Sequence, residues 1–259
     1  QMTRLRFEKR IREKLNIHFG LSAGAFFRRQ MVGFVFTSVS FYEGRLTAYN
    51  GGTGVVFEYR GMDITRKLYE LLLPEFRQAG IEKCVLEVLT TNEAAIQAYR
   101  KIGFEVTKSF SCFRLSKENY EQQYFAFPLI ARVAEGLLSD YDAISTEMPS
   151  YLDSSSALSH NLANEEKIEI RVDGELAGYA IYQQETGRLS RFGIAPKFRR
   201  QGYGRMLMDY IYQDTGYKEI TVLNVDNSSQ EMIRSLEGLG FEKQLMQFEM
   251  QMDIQPKLM

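Results

Sequence analysis

The chain has 259 residues, 44% of them hydrophobic and 25% charged, and a chain of this length is expected to form two modest domains rather than one large core. Its 32 lysines and arginines face 33 aspartates and glutamates, so it lacks the one-sided positive field with which proteins bind nucleic acids or anionic membranes. We therefore expect neither nucleic acid nor a membrane as a partner.

The two cysteines, Cys84 and Cys112, lie in apolar, strand-like segments without the spacing of a metal site or a redox motif. Cysteines of cytoplasmic proteins are normally reduced, so we expect two buried thiols and no structural disulfide. The sequence contains neither a secretory leader nor an apolar span long enough to cross a bilayer. We therefore expect a soluble, cytoplasmic protein that holds no metal.

The first half of the chain alternates between strand-like and helical patterns. Apolar residues recur at the spacing of one helical face between 63 and 79, which predicts a helix there; they are Ile64, Leu68, Leu71, Leu72 and Phe76. Further helices are predicted over 3–15 and 93–101. Strands are predicted near 19–27, 31–40, 45–57, 84–89 and 104–115.

The second half begins after a polar and aromatic run, 118–125, that ends before Pro128, which predicts a domain boundary at 126. The serine-rich stretch 153–156 predicts a loop or a helix cap. Strands are predicted at 167–172, 176–183, 188–194 and 220–225, and a helix from 204 to about 214. Methionines near the end of the chain alternate with polar residues, which predicts a half-buried strand.

The two halves repeat one order of elements. Each has two strands, an arginine-containing turn, a helix, a third strand, a second helix, a Gly-Phe pair and a last strand. The turns are 60–65 and 199–204, and the Gly-Phe pairs are Gly103 with Phe104 and Gly240 with Phe241. Matched landmarks in one order predict two tandem α/β domains, 1–126 and 127–259.

The turn 199–204 has the features of an anion site. It joins the end of a strand to the start of a helix and contains Arg199, Arg200, Gly202 and Gly204. Glycines let the backbone approach a pyrophosphate, and a helix N-terminus offers free N–H groups and a positive dipole end. The alternative is an ordinary helix start with solvated arginines. The spacing is neither that of a Walker loop nor that of a dinucleotide fingerprint.

Together these motifs resemble the GNAT (GCN5-related N-acetyltransferase) superfamily. The strand end at 194–196 and the run 199–204 match its Arg/Gln-x-x-Gly-x-Gly/Ala motif, and Asn92, Tyr99 and the Gly-Phe pair at 103–104 match its later motif. The resemblance implies an α/β (α+β) fold of two tandem domains, each a mixed, largely antiparallel twisted sheet flanked by helices.

The resemblance also implies a function and a cofactor. The chain would use acetyl-CoA, or another acyl-CoA, to acylate a primary amine by direct attack on the thioester, without a metal. The acceptor would be a small molecule or a peptide, and the protein a monomer or a homodimer. By the same resemblance, the cofactor would be bound by Phe192, Gly193, Ile194, Arg199, Arg200, Gln201, Gly202, Tyr203, Gly204, Arg205 and Asn227.

The two halves depart from the family pattern at different places. The first keeps Tyr99 where the family has the acid for the leaving thiolate, and Glu87 as a possible base, but Asp63 and Thr65 replace the glycines of its turn. A carboxylate repels a pyrophosphate, and a Cβ blocks close approach of the backbone. The second half keeps the glycines but has Leu236 where Tyr99 stands and Asn224 where Glu87 stands.

Three interpretations follow. In the first, the second domain binds acyl-CoA and catalyses transfer with another acid, such as Tyr203, Tyr179 or a water. In the second, the first domain is active through Tyr99 and Glu87. In the third, the whole protein is a non-catalytic module that binds acyl-CoA or has a regulatory role. The glycine-rich run 51–54 predicts a bulge that splays its strand.

Overall fold

The computed structural model describes residues 4–134, 138–145 and 147–254, and the chain divides into two compact units. Unit 1 is Gln1–Ser109 together with Gln247–Met259, and unit 2 is Phe110–Met246. The contiguous domains 1–126 and 127–259 follow the sequence repeat and remain a prediction. Within the described ranges, no helix is both long enough and apolar enough to cross a bilayer.

The helices and strands follow the predicted order, except that a short strand and a short helix between 130 and 144 were not predicted. The helices are α1 (Arg4–Lys9), α2 (Ile64–Gln78), α3 (Glu93–Ile102), α4 (Leu138–Ile144), α5 (Ser155–Leu158), α6 (Tyr203–Asp214) and α7 (Gln230–Gly238). The strands are β1 (Ala23–Phe27), β2 (Gln30–Tyr42), β3 (Arg45–Val55), β4 (Lys83–Leu89), β5 (Glu105–Ser116), β6 (Ile130–Arg132), β7 (Glu166–Val172), β8 (Glu175–Gln183), β9 (Arg188–Ile194), β10 (Glu219–Asp226) and β11 (Glu242–Asp253).

Two elements at the start of the chain differ from the prediction. The first helix changes after Lys9 into a π-helical turn, Arg10–Lys14, and the segment predicted as a strand near 19–27 begins with a 3-10 turn, Phe19–Leu21, before β1. Sequence periodicity detects the apolar face of such segments but does not distinguish the hydrogen-bond pattern of the backbone.

Unit 1 carries the strand order β1-β2-β3-β4-β11. Neighbours are antiparallel except β3 and β4, which are parallel and pair only from Thr47 to Tyr49 on the β3 side. Beside this point, Phe36 pairs with Gly52 and Thr37 with Asn50, which leaves Gly51 as an extra residue in β3. The predicted bulge is confirmed, and β3 and β4 separate beyond it.

Unit 2 repeats this arrangement with the order β6-β7-β8-β9-β10-β5. The parallel strands β9 and β10 pair only at Arg188 and Thr221. Ile181 pairs with Arg191 and Tyr182 with Leu189, so Ser190 is the extra residue of a second bulge. Each unit therefore has a bulged strand that leaves its parallel neighbour.

The last strand of each repeat completes the other unit. Residues 247–253 of β11 pair antiparallel with β4 in unit 1, and residues 110–116 of β5 pair antiparallel with β10 in unit 2. Met250 and Met252 are buried in the core of unit 1 with Leu86 and Phe104. The sequence predicts these strands and their buried methionines, but alternation of apolar residues does not say which strand is the partner.

Both cysteines are buried thiols that form no disulfide, as predicted. Burial raises the pKa of the Cys84 thiol to about 12, so it stays protonated and unreactive at neutral pH. The predicted helix cap in the serine-rich stretch is also confirmed, because Ser154 Oγ accepts the Ala157 N–H at the start of α5.

Candidate functional site

A cavity of about 1140 Å³ lies in unit 2 where β9 and β10 separate. Its walls are formed by residues 189–194 of β9, residues 222–226 of β10, the turn before α6, and α7. Because the two strands share only one paired position, their backbone groups beyond it are available to a ligand. This geometry suits an extended molecule laid between two strands.

The turn before α6 forms one end of this cavity. Gly202 has a φ of 87° and directly precedes Tyr203, the first residue of the helix. A Cβ built on Gly202 would lie 2.8 Å from the Tyr124 hydroxyl oxygen, so a larger residue would be strained there and would crowd its neighbour. The N–H groups of the first helical turn have no partner within the helix, which favours an anion at this point.

Three arginines surround the turn. Arg199 Nε donates to the carbonyl oxygen of Ile194 at 3.2 Å, and its Nη1 lies 2.6 Å from both carboxylate oxygens of Glu231. The guanidinium of Arg205 lies 5.2 Å from the ring centre of Tyr120. Arg200 is exposed and has a φ of 61°. Arg199 is thus fixed to the end of β9, whereas Arg200 faces solvent.

Most of the predicted cofactor residues line the cavity. They are Phe192, Gly193, Ile194, Arg199, Arg200, Gly202, Tyr203, Gly204 and Arg205. Gln201 and Asn227 do not belong to its lining. Gln201 Nε2 donates to the carbonyl oxygen of Lys197 at 3.1 Å, and Asn227 Oδ1 accepts a hydrogen bond from Ser111 Oγ at 2.5 Å. Both side chains therefore have partners within the protein.

Two tyrosines, Tyr179 and Tyr203, line the cavity. Tyr179 is 1% exposed; its ring stacks on Tyr141 with 4.3 Å between ring centres, and its hydroxyl oxygen lies 2.7 Å from Ser145 Oγ. Tyr203 is half-buried at the start of α6 and meets the ring of Phe198 edge-on. The packing of Tyr179 fixes its orientation, so its hydroxyl has little freedom to follow a reacting group.

Two other lining residues, Asp153 and Ser190, make hydrogen bonds to residues behind the lining that sequence reasoning missed. Arg188 Nη2 donates to both carboxylate oxygens of Asp153, at 2.6 and 2.8 Å. Two residues beyond Arg188, Ser190 Oγ donates to the carboxylate of Glu165 at 2.9 Å. No motif marks Glu165, which follows a 3-10 helix and precedes β7, so only its position in space reveals it.

The equivalent turn of unit 1, residues 60–65, follows a similar backbone path but has Asp63 and Thr65 in place of Gly202 and Gly204. Gly61 and Asp63 have φ values of 78° and 57°, and Arg60 Nε donates to the Val55 carbonyl oxygen at 3.2 Å, as Arg199 does to Ile194. The exposed Asp63 carboxylate lies 3.6 Å from the Arg66 guanidinium. The turn therefore presents a carboxylate where the turn of unit 2 presents no side chain.

A hydrogen-bonded cluster of polar side chains lies at the point where β3 separates from β4. Asn50 is the first β3 residue beyond the paired positions, and its Nδ2 donates to Thr53 Oγ1 at 2.8 Å, to the Tyr69 hydroxyl at 2.9 Å and to the Tyr99 hydroxyl at 3.4 Å. Burial raises the pKa of Tyr99, against hydrogen bonds from Thr53 and Asn50 that lower it. Tyr99 thus belongs to a packed cluster within unit 1.

Glu87 lies away from Tyr99. On β4, Leu86 and Val88 pack in the same core cluster as Tyr99, and Glu87, which alternates with them, faces the opposite side of the sheet. Its Oε2 accepts a hydrogen bond from the Tyr49 hydroxyl at 2.7 Å. The two candidate catalytic residues of the first half are therefore on different faces.

Comparison with known proteins gives a family match over most of the chain. The sequence profile of the Acetyltransferase (GNAT) family matches twice, over residues 4–104 and over residues 133–241. The chain is also 37% identical over 59 residues to N-alpha-acetyltransferase 30 of Schizosaccharomyces pombe, which amounts to 23% of this chain and 39% of that protein. The chain therefore matches well under half of that relative's length.

Solved structures share the fold at low sequence identity. A tandem GNAT protein from the clavulanic acid biosynthesis pathway superposes with a TM-score of 0.64 at 12% identity, covering 92% of this chain and 85% of that one. The GCN5-related N-acetyltransferase from Sphaerobacter thermophilus also gives a TM-score of 0.64, at 13% identity, covering 88% and 78%. These similarities show the two-domain fold.

Proposed function

Because the chain belongs to the acetyltransferase (GNAT) family, we propose that unit 2 binds acetyl-CoA and transfers its acetyl group to the primary amine of a small molecule or peptide. The observation that carries this proposal is the cavity between β9 and β10, which ends at a glycine-containing turn and a helix N-terminus. A pantetheine arm fits between separated strands, and a pyrophosphate fits the free N–H groups of α6.

The cavity residues have distinct roles in this proposal. Gly202, Gly204 and Arg200 bind the pyrophosphate, and the backbone of residues 192–194 binds the pantetheine arm. A backbone N–H of β9, at the end of the cavity away from the turn, stabilises the oxyanion that forms when the amine attacks the thioester carbonyl, a contribution of about 3 kcal/mol for a preorganised donor. The C–S bond then breaks, and the departing thiolate takes a proton from the nitrogen, from Tyr203 or from a water.

Binding is tested by calorimetric titration of acetyl-CoA into the wild type, Gly202→Glu and Gly61→Glu. Both glycines have positive φ, so both variants carry a similar backbone strain, but only the first places a carboxylate at the turn of unit 2. We expect one site that Gly202→Glu abolishes and Gly61→Glu preserves. Loss of binding in Gly61→Glu alone would move the cofactor to unit 1, and no binding by the wild type would end the proposal.

Catalysis is tested by release of free thiol from acetyl-CoA in the presence of a panel of primary amines. The panel includes peptides with a free N-terminus, peptides with an internal lysine, polyamines and amino sugars. We expect turnover with at least one of these classes, lost in Gly202→Glu. The assay identifies the acceptor class at the same time.

A non-catalytic, acyl-CoA-binding protein is the second candidate. It is favoured by Leu236, which is 1% exposed and stands where the first half has Tyr99, and by Asn224, which is engaged with Cys112 and stands where the first half has Glu87. Tight binding of acetyl-CoA without turnover of any amine would support this candidate over the enzyme.

A further inference from the structure

A serine lies at the point where the cavity begins. Ser190 is the extra residue of the β9 bulge, two residues beyond the single position that pairs with β10. It lines the cavity and is only 8% exposed. In the proposed complex, this is the part of the cavity farthest along β9 from the pyrophosphate turn, where the reacting end of acetyl-CoA would lie.

The Ser190 hydroxyl is directed at a buried carboxylate. Its Oγ donates to Glu165 Oε2 at 2.9 Å. The other carboxylate oxygen, Oε1, accepts from Asn161 Nδ2 at 2.8 Å and from Gln183 Nε2 at 2.7 Å. The two amides fix the carboxylate, so Oε2 is the oxygen that Ser190 can reach.

The surroundings of Glu165 favour its action as a proton acceptor. Glu165 is 7% exposed, and burial raises its pKa; Asp153 raises it further, while Gln183, Ser190 and Arg188 lower it. Arg188 itself donates two hydrogen bonds to Asp153. A carboxylate with a raised pKa accepts a proton more readily near neutral pH than an exposed one.

A second hydroxyl on the same cavity is unsatisfied. Ser150 lines the cavity and is 3% exposed, and its Oγ has no hydrogen-bond partner among the residues that the structure describes. Buried polar groups without a partner are rare in folded proteins and point to a bound polar group. An amine with several N–H donors would satisfy it.

We propose that Ser190 and Glu165 form a relay that removes a proton from the acceptor amine, an inference that rests on the acetyltransferase function proposed above. Ser190 is the catalytic residue, because its Oγ contacts the amine. Glu165 acts through Ser190 and positions its hydroxyl.

The proton balance follows the hydrogen bonds. The acceptor ammonium gives one proton to Ser190 Oγ while Ser190 passes its own proton to Glu165 Oε2. The nitrogen lone pair then forms the N–C bond at the thioester carbonyl and the C–S bond breaks. The thiolate takes the second proton from nitrogen, and Glu165 later releases its proton to solvent. The products are the amide, coenzyme A thiol and one proton.

The relay is tested by the pH dependence of kcat/KM, with acetyl-CoA and the fastest amine of the panel, from about pH 6 to about pH 9. The variants are Glu165→Gln and Ser190→Ala. The control is Glu166→Gln, which removes the half-buried neighbouring carboxylate that pairs with Arg132 and does not line the cavity. Circular dichroism and the acetyl-CoA dissociation constant verify that each variant is folded.

We expect the wild type to reach a plateau once Glu165 is ionised. Without the relay, only amine already deprotonated in solution reacts, so kcat/KM of both variants should rise about tenfold per pH unit up to the pKa of the amine, and fall about a hundredfold below the wild type near pH 7. If Glu165 and Ser190 only stabilised the fold, their substitution would lower kcat/KM at every pH without changing the slope of the pH profile.

Several outcomes would overturn the relay. One is that Glu165→Gln and Ser190→Ala both keep the wild-type plateau of kcat/KM. Another is that the control Glu166→Gln shows the same change of slope as these two variants. If the wild type binds acetyl-CoA but acetylates no amine, the proposed function fails and the relay with it. A measurement without variants is the carbon-13 NMR titration of the Glu165 carboxyl group in the wild type, where a pKa at or below the usual range of glutamate would also exclude it.

Discussion

At the scale of single residues, a buried lysine of unit 1 depends on one acidic partner. The Lys83 side chain is 2% exposed, its Nζ lies 2.5 Å from Glu43 Oε2, and the Tyr42 ring centre is 4.8 Å away. Glu43 also accepts a hydrogen bond from Lys108 at 2.5 Å. Removing one partner of a buried ion pair leaves the other charge without compensation.

We predict that Glu43→Gln lowers the free energy of unfolding of unit 1 by about 2 kcal/mol, less than for a fully buried pair because Glu43 is partly exposed. Urea denaturation at neutral pH measures this change. The control is the exposed Glu58→Gln, which should change stability by under about 0.5 kcal/mol. Equal effects of the two substitutions would contradict the prediction.

The same pair gives a pH dependence. Burial raises the pKa of Glu43, but hydrogen bonds and charges from Lys108 and Lys83 outweigh it, so the folded pKa is below the ordinary value. The stabilisation is therefore present above the unfolded-state pKa of a glutamate and is lost as the pH falls through the folded pKa. The difference in stability between wild type and Glu43→Gln should shrink in acid.

At the scale of elements, the two strand-to-helix turns share a backbone path but differ in side chains. The glycine of unit 2 that has a φ of 87° corresponds to Asp63, which holds a φ of 57°. Where β3 leaves β4, unit 1 places the hydrogen-bonded cluster around Asn50. The backbone geometry of the turn is thus similar in the two units, while its side chains differ.

We predict that Tyr99→Phe leaves turnover nearly unchanged and lowers stability by about 1 kcal/mol, the usual contribution of one hydrogen bond. Asn50 keeps Thr53 and Tyr69 as partners, so little of the cluster is lost. Thiol release and thermal unfolding are measured on the same preparation. A large fall in kcat with unchanged stability would instead assign catalysis to unit 1.

The sequence predicts elements better than it predicts their partners and their buried polar contacts. Strand β9 was predicted at its observed limits, 188–194, and the bulge at Gly51 follows from a cluster of glycines. The pairing of β11 with β4 was not predicted, because a period of two fits any neighbour. Glu165 was missed because a single buried glutamate leaves no pattern in the sequence.

At the scale of the whole molecule, unit 1 needs residues from the end of the second repeat. Met250, Met252 and Ile254 belong to its buried core, and residues 247–253 cover the edge of β4. We predict that a chain ending at Met246 loses more than about 4 kcal/mol of stability in unit 1, since several core side chains are removed at once. Hydrogen exchange of the β4 amides measures this loss.

The two units should respond differently to that truncation. Acetyl-CoA binding should survive, because the residues that line the cavity all lie within unit 2. A chain ending at Ile254 is the control and should keep the protection of β4. Protected β4 amides in the shorter chain would mean that another segment replaces β11.

Because the last strand of each repeat completes the other unit, it also determines the order in which the units fold during synthesis. Domains usually fold as they emerge, the N-terminal one first, while synthesis proceeds at roughly 5–20 residues per second. Here the edge of β4 stays open until residues up to Ile254 have been made, so the N-terminal unit cannot finish first. During that interval an exposed strand edge is a template for wrong pairing. Slow translation or a premature stop would therefore harm the N-terminal unit more than the one made after it.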